Sequence, residues 1–119
     1  MSNPSKRKGT DAEIKLLAWL KENGHPEAVR NPPMGSKDVG DLRCLTDTVT
    51  WPVDRPIVIE VKSWNDVAAA LREGLAELEA EKANAGTTAG VLVLKRRGVT
   101  DPGRGFAVRE VRDDPEIGS

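Results

Sequence analysis

The stretch 56-PIVIEVKSW-64 decides how this chain is read. Ile57, Val58 and Ile59 form a β-branched run, and Glu60, Val61 and Lys62 follow it directly. β-Branched side chains suit a pleated, buried strand. Residues two apart in a strand share a face and stand about 6.5 Å apart along it. Glu60 and Lys62 therefore share one face, and Ile59 and Val61 take the other. A same-face ion pair at a solvated edge would account for both charges without any function. The apolar run instead marks a central strand, where charge is rare and costly unless something is bound there. The pair is expected in a cleft.

About twenty residues upstream, 35-GSKDVGDLRC-44 places Gly40 and Asp41 at the start of another short strand. Glycine there lets the backbone approach a neighbour or a ligand closely. If the two strands form a hairpin, the start of one lies beside the end of the other, and Asp41 converges on Glu60. Two carboxylates in a small site suit Mg²⁺, or Mn²⁺ in its place, which keep several waters and bind phosphates. A bound divalent ion polarises a phosphodiester and lowers the pKa of a coordinated water. Lys62 would orient or deprotonate that water, or offset charge developing on phosphorus. The spacing of Asp41, Glu60 and Lys62 is common by chance. Its weight comes from the position of Glu60 and Lys62 on the clearest strand, one hairpin after Gly40-Asp41.

The remaining segments supply an order of helix, three strands, helix, two strands. The first helix is expected from about Asp11 to Asn23, with Ile14, Leu17 and Ala18 on one face and Trp19 and Leu20 flanking it. Thr10 and Glu13 fit a T-x-x-E capping box, and Gly24 is a natural stop. Short strands are read at 27–30 and 41–46, ahead of the one that opens at Ile57. The segment 65–86 reads as the second helix, with Val67, Leu71, Leu75 and Leu78 on its apolar stripe, Asn65 as cap and Gly86 as stop. The strands 89-AGVLVLK-95 and 105-GFAVREV-111 close the chain, the last at an edge. The expected class is α/β, a mixed sheet flanked by helices. One domain is expected at 9–112, with a flexible basic arm at 1–8 and a flexible acidic tail at 113–119.

Composition narrows the chemistry. The 119 residues are 38% hydrophobic and 31% charged, enough for a modest core. Cys44 is the only cysteine and His25 the only histidine, which removes disulfides, cysteine zinc clusters and Ser-His-Asp or Cys-His catalysis within one subunit. His25, in "NGHPEA", reads as a turn residue. No apolar run is long enough to span a membrane, and the polar start lacks a secretory core, so an intracellular, cytoplasmic protein with no membrane partner is expected. A net charge of −1 does not advertise nucleic-acid binding, but Lys6, Arg7 and Lys8 cluster early and Lys95, Arg96 and Arg97 late. Acidic residues gather in 73–81 and 110–116.

With Asp41 followed by 59-IEVK-62, the chain resembles the PD-(D/E)XK nucleases, and the element order matches the restriction-endonuclease-like core of that superfamily. It is most similar to the archaeal-type Holliday-junction resolvases and their phage relatives. Their first helix opens on a K/R-K-G-x-x-x-E segment, which 7-RKGTDAE-13 fits, and 82-KANAG-86 with 90-GVLVLKRRG-98 resembles the phage members. The resemblance covers roughly residues 6–111. It implies a Mg²⁺-dependent DNA endonuclease of recombination and repair, acting as a homodimer on four-way junctions. Asp41 and Glu60 would be the metal-binding carboxylates, Lys62 the catalytic lysine, and Glu13 a further metal-site carboxylate. Ser36 falls near a serine that some resolvases place in a mobile loop. Gly40 stands where the signature has proline. Asp38 is a neighbouring candidate, and Asp41 is preferred because it adjoins the strand.

Glu13 also has a reading without catalysis, as the capping-box partner of Thr10. Lys6, Arg7, Lys8, Ser36, Lys37, Arg43, Arg96 and Arg97 are the candidate DNA contacts, with Arg30 as a further one. Contacts of this kind position a phosphate backbone without reading sequence, and a solvated basic surface is the alternative for each. Trp51 and Trp64 are expected in core or dimer packing, Trp19 in the core. Rival functions are a nicking or linear-duplex endonuclease of the same fold, an inactive DNA-binding relative, and a plain interaction domain.

Overall fold

A computed structural model describes residues 4–32, 34–45, 56–63, 66–114 and 116–118. The chain is α/β: helix α1 (Pro4–Glu22), strands β1 (Val29–Arg30), β2 (Leu42–Leu45) and β3 (Pro56–Ser63), helix α2 (Val67–Ala85), and strands β4 (Gly90–Lys95) and β5 (Phe106–Val108). The sheet runs in the order β1-β2-β3-β4-β5. β3 pairs antiparallel with β2 and parallel with β4, so the sheet is mixed and β3 is its middle strand. The connection 46–55 between β2 and β3, with Trp51, lies outside the described residues, as do Trp64 and Asn65.

The strand alternation read from 57–62 sorts the core into two layers. Ile57, Ile59 and Val61 join Leu42, Cys44, Val91 and Val93 in packing against Leu16, Leu17, Trp19 and Leu20 of α1. Val58, Leu92 and Leu94 pack against Ala70, Leu71, Leu75 and Leu78 of α2. The helices thus cover opposite faces of the sheet. Glu60 and Lys62 fall in register with Leu92 and Leu94, on the α2 face. Among the described residues no helix is long and apolar enough to cross a membrane.

Both helices differ from expectation in instructive ways. α1 begins at Pro4, a residue whose fixed φ suits a first helical position, so Lys6, Arg7 and Lys8 lie on its first turns. Thr10 is then interior to the helix and the capping-box reading of Glu13 is overturned. Its buried residues are Ala12, Leu16 and Leu20, four apart, while Ile14 is 50% exposed. α2 buries Ala70, Gly74, Leu78, Glu81 and Lys82, with Val67 43% exposed. Small residues won the contact because they let the helix approach the sheet: a Cβ on Gly74 would lie 2.7 Å from Leu92 Cδ1. The cap is Asp66, whose carboxylate accepts from the Ala68 and Ala69 amides, and Gly86 ends the helix in the left-handed region, as its sequence position predicts. Asp113, in a 3-10 turn after β5, meets the buried Lys82 at 3.5 Å.

Candidate functional site

β3 carries the first half of the site. Its alternation points Glu60 and Lys62 toward α2, with Glu60 only 4% exposed. Asp41 reaches the same place from the next strand. Gly40 turns the chain at φ +98°, and Asn31 Nδ2 donates to the Val39 and Gly40 carbonyls. The Asp41 amide donates to the Ile59 carbonyl at 3.0 Å, and its carboxylate Oδ2 accepts from the Val61 amide at 2.8 Å. Asp41 is therefore clamped beside Glu60 by backbone on both sides. Gly40 serves this turn rather than a ligand: a Cβ there would lie 2.6 Å from Val58 Cγ1.

α1 and α2 close the site. Glu13 Oε2 accepts from Arg30 Nε at 3.1 Å and lies 3.0 Å from Arg30 Nη2, and the Glu13 carboxyl also hydrogen-bonds Asp41. From α2, Glu77 Oε1 lies 2.9 Å from Lys62 Nζ, while Glu81 continues the buried stripe toward the sheet. Asn84 Nδ2 donates to the Asp38 carbonyl at 2.7 Å, tying the loop before β2 to α2. Together Glu13, Asp38, Asp41, Glu60, Lys62, Glu77 and Glu81 line one cleft of about 420 Å³.

So many carboxyls in one cleft hold protons. Burial, then hydrogen bonding to Glu77 and the nearby Asp41 charge, pushes Glu60 up to about 12. Burial and the Asp41 contact raise Glu13 to about 7 against the opposing pull of Arg30. Burial, with the fields of Asp41, Glu77 and Asp38, raises Glu81 to about 7 against the opposing hydrogen bond with Glu60. Glu77 is lowered by its hydrogen bond from Glu60 and by Lys62. Burial alone would lower Lys62, but Glu77, Glu60 and Asp41 outweigh it and raise its pKa.

Oxygens of Glu60, Glu77 and Glu81, one from each, lie within 4.8 Å of one another. Glu60 Oε1 and Glu81 Oε1 are buried without a hydrogen-bond partner. Such orphaned acceptors are costly unless a cation or donor occupies the space before them. Hard oxygen donors around an open cleft fit Mg²⁺ or Mn²⁺.

The structure thus brings Asp41, Glu60 and Lys62 into one cleft, as the hairpin reading expected, and Glu13, which only the resemblance had placed there, lines it too. It adds Glu77 and Glu81, whose i, i+4 spacing within the acidic run 73–81 was the available signal. Other candidates lie elsewhere. Lys37 and Arg43 are exposed outside the cleft lining, Arg97 is exposed beyond β4, and Arg96 stacks over the Phe106 ring at 4.9 Å. Arg30 is engaged by Glu13. The side chains of Lys6, Arg7, Lys8 and Ser36 lie outside the described residues. His25 follows α1 in a turn, 3.9 Å from Glu27. Comparison with protein families, with curated proteins and with solved structures finds no match to this chain.

Proposed function

We propose that the chain is a divalent-metal-dependent DNA endonuclease with a restriction-endonuclease-like core, acting on branched DNA such as a four-way junction. The observation that carries this reading is the convergence of Asp41, Glu60 and Lys62, with Glu13, on one cleft at the middle of the sheet. A charged trio at a central strand is costly to keep for stability alone. Asp41, Glu60 and Glu13 would hold the cation. When bound, a divalent ion there offsets carboxylate charge, polarises a phosphoryl oxygen and acidifies a water.

The chain's own groups define the rest. The Val61 amide fixes Asp41, so one carboxylate is oriented before any ligand arrives. Glu60 must lose its proton to act as a ligand, and a cation supplies the field that favours the loss. Lys62 stays an ammonium beside Glu77 and Glu60. It therefore suits stabilisation of charge developing on the phosphate better than removal of a proton from water. Basic residues on α1 and beyond β4 would meet the DNA backbone. A homodimer would suit paired cuts on a two-fold substrate.

Labelled four-way junction, nicked duplex and linear duplex, each with Mg²⁺ or with chelator, test the reading. Cutting is expected only with Mg²⁺ and best on the junction. Glu60→Ala should lower cutting by at least about 100-fold while leaving binding in place. Cleavage that survives in the variant removes Glu60 from the mechanism. Equal cutting of junction and linear DNA keeps the chemistry and replaces the substrate.

A further inference from the structure

Among the described residues, Lys62 is the only cationic side chain lining a cleft that also holds the carboxyls of Glu13, Asp38, Asp41, Glu60, Glu77 and Glu81. Arg30 offsets Glu13 from outside and Lys62 offsets Glu77. Asp38, Asp41, Glu60 and Glu81 remain. Once Glu60 and Glu81 ionise as ligands, a single divalent ion offsets two of the four charges and leaves a cleft that still repels a phosphodiester.

The geometry supplies a place for more. Glu77 and Glu81 stand one turn apart on α2, and with Glu60 they bring three oxygens within 4.8 Å of one another. Asp41 stands outside this triangle. Glu81 is 6% exposed and Glu60 4%, both line the cleft, and the Oε1 of each is buried without a hydrogen-bond partner. Acidic clusters alone are common on surfaces. Two buried carboxyl oxygens without partners are not, because each forgoes a hydrogen bond that water would have given it.

We infer that Glu60, Glu77 and Glu81 form a second divalent-cation site on the α2 side of the cleft, so that the centre takes two ions with Glu60 between them. This rests on the proposed nuclease reading only in assigning the first ion to Asp41 and Glu60. Lys62 Nζ lies 2.9 Å from Glu77 Oε1 and occupies the place of a cation there. An ion held by Glu77 would share that carboxylate with the Lys62 ammonium. The α2 site would thus supply charge balance to the cleft.

The test counts ions on the full chain, stripped with chelator and titrated with Mn²⁺, with free Mn²⁺ read by electron paramagnetic resonance. The wild-type chain is expected to bind about two Mn²⁺, and E77Q/E81Q and D41N about one each. E77Q alone, at a residue whose side chain is 45% exposed, leaves the fold in place. It should weaken the second Mn²⁺ by at least about tenfold, since even a supporting partner is worth that much. An E77Q/E81Q chain that binds as many Mn²⁺ as wild type overturns the inference, as does a wild-type chain that binds only one. The nuclease reading fails separately, if two Mn²⁺ bind and no DNA is cut.

Discussion

A methyl group at Gly40 would sit 2.6 Å from Val58 Cγ1, on a backbone held at φ +98°. Gly24 has a similar φ of +105° with nothing within 4 Å of the added carbon. Gly40→Ala should therefore lose about 1–3 kcal/mol of stability from strain and contact together. Gly24→Ala should lose only the backbone part. Denaturant unfolding of both variants measures the difference, and equal losses would show that the Val58 contact is not the cause. Because Asp41 follows directly, Gly40→Ala should also loosen the Asp41–Val61 bond and weaken Mn²⁺ binding. The sequence showed that Gly40 mattered. It could not show that the close approach was to Val58, since that partner is eighteen residues away across a connection whose path no local pattern sets.

At the level of elements, α2 carries the part of the site that sequence reasoning missed. The leucine spacing suggested a stripe through Leu71 and Leu75, yet the helix rests on Ala70, Gly74 and Leu78, with the leucines flanking. That rotation carries Glu81 inward and sets Glu77 beside Lys62. Side-chain volume against the sheet decided the rotation, and volume complementarity is a pairwise property that one helix's periodicity does not contain. The start of α2 is set by Asp66, which accepts from two amides. Asp66→Ala should cost about 1 kcal/mol, read from the thermal midpoint. A variant as stable as wild type would show that the cap contributes little. α1 gives a parallel case: its extension to Pro4 places Thr10 inside the helix, which frees Glu13 from capping and gives it to Arg30 and Asp41.

For the whole molecule, the cleft links stability to pH. Glu13, Glu60 and Glu81 have folded pKa values raised above the ordinary carboxyl value of 4.5. In unfolded chain these groups lose protons near 4.5, so above that pH the folded state binds more protons than the unfolded one. Their stabilisation is fully present below 4.5 and is lost as pH rises, by about 7 for Glu13 and Glu81 and still further up for Glu60. In chelator, the thermal midpoint should therefore rise as pH is lowered from about 8 to about 5. Mg²⁺ should flatten this dependence, because a cation replaces the protons as the counter-charge. A midpoint that falls over the same range, or an unchanged profile with Mg²⁺, would refute the linkage.

The sequence by itself determined the element order, the middle strand and the face on which Glu60 and Lys62 lie. Those follow from local β-branched runs, alternation and stop signals. It also marked Asp41 as a partner one hairpin earlier, because a Gly-Asp pair opening a strand is itself a local feature. The tertiary structure decided which face each helix buries, that Glu13 pairs with Arg30, and that Glu77 and Glu81 complete the acidic cleft. These depend on how closely two surfaces can approach, and the small residues Gly40 and Gly74 control that approach only through partners distant in the chain.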